Sequence, residues 1–166
     1  MSRLLLLRHA KAVWARPGMK DFDRPLDPEG KAELDRLSRI MKPMGLSPDL
    51  VVLSGSRRTR ETALGIIDRL DIEVDTIVDD AIYSGGPADY MQAIRKHGDT
   101  ATLMLVGHNP SIEDLALALC GDGNKDSLLK LRAGFPTAAI ANITCPAPLS
   151  ELERGSAYLE SFILPR

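Results

Sequence analysis

Three short apolar runs of this chain are each followed by residues that can bind an anion. The runs and their followers are Leu4–Leu7 with Arg8 and His9, Leu50–Ser54 with Arg57 and Arg58, and Thr102–Gly107 with His108 and Asn109. Short continuous apolar runs bounded by polar loops are typical of buried parallel strands. Ligands of open α/β sheets bind outside the carboxyl ends of such strands. The sequence therefore predicts one anion-binding pocket that collects both histidines and several arginines.

Arginine and histidine in one pocket suit the chemistry of a phosphoryl group. A guanidinium is permanently charged and planar, so it can donate two parallel hydrogen bonds to phosphate oxygens. A neutral imidazole in that field can attack phosphorus and form a phosphohistidine, which water then cleaves. A second imidazole, when protonated, would neutralise the oxygens being transferred. The pattern thus indicates phosphoryl transfer.

Several of these residues also have a purely structural explanation. Arg57 and Arg58 could form the solvated face of a helix start, but cations at that end oppose the helix dipole, which favours an anionic partner. His108 alone would suit a core histidine, but it is not the only histidine placed after an apolar run. His97 precedes Gly98 at a predicted helix end, where a cation suits the dipole, so it is given a structural role.

Segments of helical period separate the apolar runs. The predicted helices open at Asp27 with Pro28 and end at Pro43, begin near Arg57, run over Pro87–His97, and follow His108 with Asn109 or Ser111 as N-cap. Later strands are predicted near Glu73–Val78, Thr137–Thr144 and Tyr158–Leu164, and Gly121–Asp126 is predicted to be a mobile loop. Strands that alternate with helices predict a three-layer α/β/α sandwich with a mostly parallel central sheet.

Composition narrows the class of protein. A chain of 166 residues with 44% hydrophobic residues suits one compact domain over 1–166. The 21 Lys and Arg against 23 Asp and Glu leave no basic excess for a nucleic-acid partner. Cys120 and Cys145 offer no metal-ligand spacing and are expected to be buried apolar residues, and no metal or cofactor is predicted. Leu4–Leu7 is too short for a membrane span or signal sequence, so we expect a cytoplasmic protein without membrane contact.

Four sequence blocks that contain the candidate residues occur in a fixed order along the chain, and the combination is more specific than any block alone. Arg8–Trp14, Asp21–Leu26, Ser54–Thr62 and Gly107–Leu115 together resemble the histidine phosphatase superfamily, and within it the SixA-like phosphohistidine phosphatase branch. The blocks extend from Met1 to about Ala118, and Phe135–Ala139 resembles a late strand of that branch. The resemblance implies the phosphoglycerate mutase-like fold.

Residue by residue, the resemblance makes His9 the nucleophile, Arg8 and Arg58 phosphate ligands, and His108 the second phosphate-binding imidazole. The superfamily pattern Ser-x-x-x-Arg, counted from Ser54, reaches Arg58.

Arg57 and Asn109 are further candidates for phosphate binding. Many members carry an acidic proton donor before the third helix, where this chain has Tyr83 at or near the position and Asp79 and Asp80 a few residues early. A general acid is therefore not assured.

The expected function is a metal-independent phosphatase that works through a phosphohistidine on His9, with phosphohistidine in a protein as the preferred substrate. One alternative is a small-molecule phosphomonoesterase or mutase on the same fold, acting on a small phosphate ester. Another is a noncatalytic phosphoprotein-binding module, although a pure binder has no need of a nucleophile. A receiver domain would need an acidic pair after the first strand, and the glycine motifs of dinucleotide folds and P-loops do not occur.

Overall fold

The computed structural model describes all 166 residues. Its strands are β1 (Ser2–Arg8), β2 (Leu50–Leu53), β3 (Asp75–Val78), β4 (Thr102–Gly107), β5 (Cys120–Gly123), β6 (Ile140–Cys145) and β7 (Ala157–Ile163). They form one seven-stranded sheet in the order β3-β2-β4-β1-β6-β7-β5. The three apolar runs of the sequence thus lie side by side in the sheet as β2, β4 and β1.

Helices cover both faces of this sheet. They are α1 (Pro28–Met44), α2 (Arg57–Leu70), α3 (Ala81–Ser84), α4 (Pro87–Lys96), α5 (Ser111–Leu119) and α6 (Lys125–Arg132), with short 3-10 helices at Asp21–Asp23 and Leu149–Glu151. Apolar side chains of α1 and α2 pack on one face of the sheet, and those of α4 and α5 pack on the other.

The composition of β1 follows from its central place. Leu4 and Leu6 belong to the core under α4 and α5, whereas Leu5 and Leu7 belong to the core under α1 and α2. All four side chains are buried. Successive side chains of a strand point to opposite faces, so a strand covered on both faces must be apolar throughout.

The sheet is mostly parallel. β1 pairs in parallel with β4, β2 pairs in parallel with both β3 and β4, and β5 pairs in parallel with β7. β6 alone runs against its neighbours β1 and β7. The predicted three-layer α/β/α sandwich with a mostly parallel sheet is therefore confirmed.

Two predicted helix boundaries were wrong. Pro43 lies inside the last turn of α1, and the helix ends at Gly45, whose φ of 66° is left-handed and therefore suits glycine. Neither Asn109 nor Ser111 caps α5, because Pro110 occupies the N-cap position.

The region after α5 also differs from the prediction. Gly121–Asp126 is not a loop: it contains most of β5 and the start of α6, with Asn124 as the N-cap that accepts from Ser127 N. The polar, glycine-rich sequence concealed a strand because β5 lies at the sheet edge, where few side chains are buried. Cys145 is buried as expected, whereas Cys120 is only partly buried.

The topology leaves a crevice at one edge of the sheet. β1 and β4 are neighbours, but the chain leaves β1 toward α1 on one face and leaves β4 toward α5 on the other. Divergent connections of this kind open a gap beyond the carboxyl ends of the two strands. His9 and His108 immediately follow these strands.

Candidate active site

An open pocket of 560 Å³ lies in this crevice. Five of the predicted site residues, which are Arg8, His9, Arg58, His108 and Asn109, contribute to its lining. The remaining lining residues are Trp14, Asp21, Arg24, Tyr83 and Ser84. The fold therefore brings together three predicted strand ends at one place.

Arg57 lies outside the lining of this pocket. Its side chain is half exposed, and its Nε lies 3.3 Å from Glu61 Oε2 one helical turn away. The neighbouring Arg58 is instead almost completely buried. Adjacent helix positions point about 100° apart, so only one of two consecutive arginines can face the pocket.

The geometry of His9 defines which ring nitrogen is free. Nδ1 lies 2.7 Å from the carbonyl oxygen of Ala10, and a carbonyl oxygen can only accept, so Nδ1 carries the proton. The lone pair of the neutral ring is then on Nε2. Burial lowers the pKa of His9 to about 3, and the nearby charges of Arg58 and Arg8 act in the same direction. The imidazole is therefore neutral at pH 7.

Arg8 and Asn109 meet at the backbone before β6. Arg8 Nη1 donates to the carbonyl oxygen of Phe135 at 2.9 Å, and Asn109 Nδ2 donates to the same oxygen at 3.0 Å. Arg8 Nε and Asn109 Oδ1 are buried without a hydrogen-bond partner in the protein. A buried donor without a partner is costly, so Arg8 Nε favours a ligand that can accept a hydrogen bond, whereas the amide oxygen of Asn109 can only accept one from a ligand.

Arg58 is held in place from the segment before α1. Its Nη1 donates to the backbone oxygen of Asp21 at 2.8 Å, and its Nη2 donates to Asp21 Oδ2 at 3.0 Å. Its Nε is also buried without a partner. Arg58 belongs to the first turn of α2, where Ser56 is the N-cap. The helix start thus fixes the backbone, and Asp21 fixes the guanidinium.

His108 has partners for both ring nitrogens. Its Nδ1 lies 3.4 Å from Nη2 of Arg58, which can only donate, and its Nε2 lies 2.9 Å from Oγ of Ser54. Nδ1 is therefore the acceptor, and Nε2 donates to Ser54. Burial, and then the charge of Arg58, lower the pKa of His108 to about 4. This imidazole is neutral in the structure, and the negative charge of a phosphoryl group would raise its pKa.

The two neutral imidazoles make stability depend on pH in a defined direction. In the unfolded chain both rings bind protons near their ordinary pKa of about 6.5, whereas the folded chain resists protonation down to about pH 4. The unfolded state therefore binds more protons below about pH 6.5, and stability falls as the pH falls through this window. We expect a loss of about 1–2 kcal/mol per imidazole between pH 7 and pH 5.

Urea unfolding of the wild type and of the double variant His9→Asn, His108→Asn, at a series of pH values, measures this loss. The double variant should lose less of its free energy of unfolding in that interval. Parallel curves for the two proteins would contradict the assignment of both rings as neutral.

A buried tyrosine supports the backbone of His108. Tyr90 Oη accepts from the backbone N–H of His108 at 2.9 Å. The Tyr90 ring packs directly on Gly107, where a Cβ atom would lie only 2.7 Å from ring atoms, so this strand end requires glycine. Tyr90 thereby links α4 to the end of β4.

We expect Tyr90→Phe to lower the free energy of unfolding by about 1–3 kcal/mol, because it leaves the buried N–H of His108 unpaired. Chemical denaturation measures the change. Tyr158→Phe is the matched control: Tyr158 is 39% exposed, and its loss of a hydroxyl should change stability by less than about 0.5 kcal/mol. Equal effects of the two substitutions would refute the role of the Tyr90 hydroxyl.

Asp21 is a pocket residue whose part in the site the sequence did not reveal, and it contacts Tyr83, which the family pattern placed at or near the proton-donor position. Tyr83 Oη donates to Asp21 Oδ2 at 2.7 Å, and Arg24 Nη1 donates to Asp21 Oδ1 at 3.0 Å. Partial burial acts to raise the pKa of Asp21, but hydrogen bonds from Tyr83, Arg24 and Arg58 outweigh it and hold the pKa well below its usual range. For Asp21 the one signal in the sequence was the block Asp21–Leu26, which has neither helical nor strand periodicity.

Neither of the two aspartates considered as a proton donor, Asp79 and Asp80, lines the pocket. Asp79 Oδ1 accepts from Ala81 N at 3.0 Å, and Asp79 Oδ2 lies 3.8 Å from His97 Nε2. Asp21 does line the pocket, but its lowered pKa keeps it ionised. The hydrogen bond to Asp21 raises the pKa of Tyr83, which makes this phenol a weaker acid than usual.

A larger cleft of 710 Å³ lies at the opposite edge of the sheet, beside β5 and β7. Its lining contains no histidine, lysine or arginine, so it lacks the groups that bind and activate a phosphoryl group. No group of three or more histidine, cysteine, aspartate or glutamate side chains is arranged to hold a metal ion. None of the helices combines the length and apolar character needed to cross a membrane.

Comparison with known proteins points to one family. Residues 4–81 match the sequence profile of the histidine phosphatase superfamily (branch 1). A chloroplastic protein of Arabidopsis thaliana is 34% identical to this chain over an alignment of 172 residues. The alignment covers 98% of this chain and 71% of that protein.

Solved structures agree with this result. The Agrobacterium tumefaciens protein assigned as the phosphohistidine phosphatase SixA superimposes with a TM-score of 0.84 at 31% identity, covering 99% of this chain and 98% of that one. The protein histidine phosphatase SixA in complex with tungstate has a TM-score of 0.77 over 98% of this chain and 97% of that one, and at 19% identity it shows the shared fold alone. The chain therefore belongs to the histidine phosphatase superfamily, as its motifs indicated, and is SixA-like.

Proposed function

We propose that this phosphatase removes the phosphoryl group from phosphohistidine in a protein, without a metal, through a phosphohistidine intermediate on His9. The observation that carries the proposal is a neutral His9 beside two arginines, in a pocket where the only carboxylate is held ionised. Such a pocket contains a nucleophile and an anion clamp but no strong proton donor. The SixA-like relatives support the same substrate class.

The reaction balances without a general acid. His9 Nε2 forms a bond to phosphorus while the bond between phosphorus and the substrate imidazole breaks. The substrate ring, protonated on its other nitrogen, leaves as a neutral imidazole and needs no further proton. His9 keeps its proton on Nδ1, so its phosphorylated ring carries the positive charge. Water then attacks phosphorus, the bond to Nε2 breaks, and dihydrogen phosphate and neutral His9 are formed.

The arginines and His108 stabilise this transfer. Arg8 and Arg58 hold the phosphoryl oxygens through charge-assisted hydrogen bonds, which are about twice as strong as neutral ones. The negative charge of the bound phosphoryl group raises the pKa of His108, so this ring takes up a proton from solvent and donates a hydrogen bond to a phosphoryl oxygen, while it transfers no proton to the leaving group. Asp21 orients Arg58 during both steps, because it binds two nitrogens of the guanidinium.

The lack of an acid leads to a prediction about substrates. An alkoxide leaving from phosphoserine or a sugar phosphate is strongly basic, and help from a general acid contributes about 10²–10⁴ in rate. We expect rapid hydrolysis of phosphohistidine protein and nitrophenyl phosphate, and slow hydrolysis of phosphoserine peptide and sugar phosphates. Steady-state kcat/KM for these four substrates, with and without a chelator, measures the preference, and the chelator should have no effect.

Variants in the region before α4 provide the control. Asp79→Asn and Asp80→Asn should change nitrophenyl phosphate turnover by less than about tenfold. Efficient turnover of an alkyl phosphate that collapses in either variant would assign the chain to the small-molecule phosphatases instead. Loss of activity with chelator and its recovery with a divalent ion would disprove the metal-independent mechanism.

A further inference from the structure

Trp14 is the most exposed aromatic residue of the chain, yet it lies at the pocket. Its side chain is 86% exposed, so it contributes little to the core. It nevertheless lines the same pocket as His9 and Arg58. Trp14 and Tyr83 carry the only indole or phenol rings among the ten lining residues, and the other eight residues are polar or charged. Folding therefore does not account for a large apolar ring at this polar pocket, and its position there is consistent with contact to a ligand.

The backbone at Trp14 is fixed by hydrogen bonds. Val13 N donates to the carbonyl oxygen of Pro25 at 2.9 Å, and Arg24 Nε donates to the carbonyl oxygen of Val13 at 2.8 Å. Arg24 also binds Asp21, which in turn binds Arg58. The backbone that carries the indole is therefore tied, through Arg24 and Asp21, to the arginine that holds the phosphoryl group.

We infer that Trp14 binds the planar ring of the leaving group, so that the enzyme selects phosphoryl groups attached to aromatic or heteroaromatic rings. This inference rests on the proposed function and adds the specificity of its leaving-group side. The arginines bind the phosphoryl group inside the pocket, and the group that carries it must extend toward the exposed lining. An indole there offers a face for stacking, and it attracts a protonated imidazole through its negative face.

The fluorescence of Trp14 can be used to test this inference directly. Because the chain has one tryptophan, its fluorescence reports on Trp14 alone. Titration with phenylphosphonate, which has a ring and a stable bond from phosphorus to carbon, should change this fluorescence. Methylphosphonate, which has the same anionic group without a ring, should change it much less. Neither measurement requires turnover.

Competition against nitrophenyl phosphate gives the affinities. Trp14→Ala should weaken phenylphosphonate about five- to tenfold and methylphosphonate less than twofold, and Trp14→Phe should recover most of the loss. Leu129→Ala, which removes another exposed apolar side chain, is the control and should alter neither affinity.

A third comparison separates this inference from the proposed function. Wild type and Trp14→Ala are assayed on N-phosphoimidazole and on phosphoramidate, which share the bond from phosphorus to nitrogen but differ in the ring. The KM should rise five- to tenfold for N-phosphoimidazole only, with little change in kcat. Equal losses on both compounds, or unchanged phenylphosphonate binding, would overturn the role of Trp14. If the wild type cleaves neither compound but phenylphosphonate still alters the fluorescence, the proposed function fails while the ring site stands.

Discussion

Replacing His9 with asparagine should reduce kcat by at least about 10⁴-fold, because the proposed mechanism then has no nucleophile. Asparagine retains an N–H that can donate to the carbonyl oxygen of Ala10, so the substitution removes the reactive nitrogen with little disturbance of the backbone. Wild-type enzyme quenched during turnover should carry phosphate that is labile in acid and stable in alkali. Steady-state kinetics and mass spectrometry of the quenched protein measure the two effects.

The control for His9→Asn is binding. Arg8 and Arg58 remain in the variant, so inorganic phosphate, which needs no bond to the nucleophile, should still bind with an affinity within about tenfold of the wild type. A variant that keeps near wild-type turnover would exclude His9 as the nucleophile. Trapped phosphate that is stable in acid would point to a serine or threonine instead.

Replacing Arg58 with alanine should lower kcat/KM by about 10²–10⁴-fold, since two charge-assisted hydrogen bonds to the phosphoryl group are lost at about 1.5–3 kcal/mol each. Arg57→Ala is a matched control one residue away, and it should change kcat/KM by less than about threefold because Arg57 pairs with Glu61 outside the pocket. Arg58→Lys keeps the charge but loses the planar fork, so its loss should lie between the two.

Vanadate inhibition provides a second measure of the same pair of arginines. Arg58→Ala should weaken inhibition strongly, whereas Arg57→Ala should leave it unchanged. The reverse order would mean that Arg57, not Arg58, faces the bound anion. Equal losses of vanadate inhibition in the two variants would indicate a general effect of positive charge instead of specific hydrogen bonds from Arg58.

The sequence predicted the parts of the site that follow parallel strands. Leu4–Leu7 and Thr102–Gly107 are apolar because both of their faces are buried, and the residues after such strands meet at one edge. The apolar runs alone therefore sufficed to predict that His9 and His108 lie together. The apolar runs did not show which of the two arginines, Arg57 or Arg58, faces the pocket. That choice came from the family pattern Ser-x-x-x-Arg counted from Ser54.

The rest of the site depends on contacts between distant residues, which no periodic pattern in the sequence predicts. Phe135 supplies a carbonyl oxygen to Arg8 and Asn109, yet it precedes a strand, because β6 is antiparallel and its amino end lies at the pocket. Asp21 lies in a short 3-10 helix and reaches Arg58 across 37 positions of sequence. Tyr90 has the pattern of one apolar residue on a helix face, and its hydroxyl contact with His108 is visible only in three dimensions.

The pairing of β1 with β4 sets the distance between the two imidazoles. Arg8 pairs with Gly107, and the next residues along both strands, His9 and His108, have ring centroids 5.3 Å apart. Neighbouring strands lie about 4.8 Å apart, so the spacing of the rings is close to the repeat distance of the sheet itself. A slip of one residue would turn one imidazole to the opposite face. The hydrogen bonds between β1 and β4 thus fix the distance between the two rings. Changes in the surrounding loops can therefore alter which molecules enter the pocket without moving the rings apart.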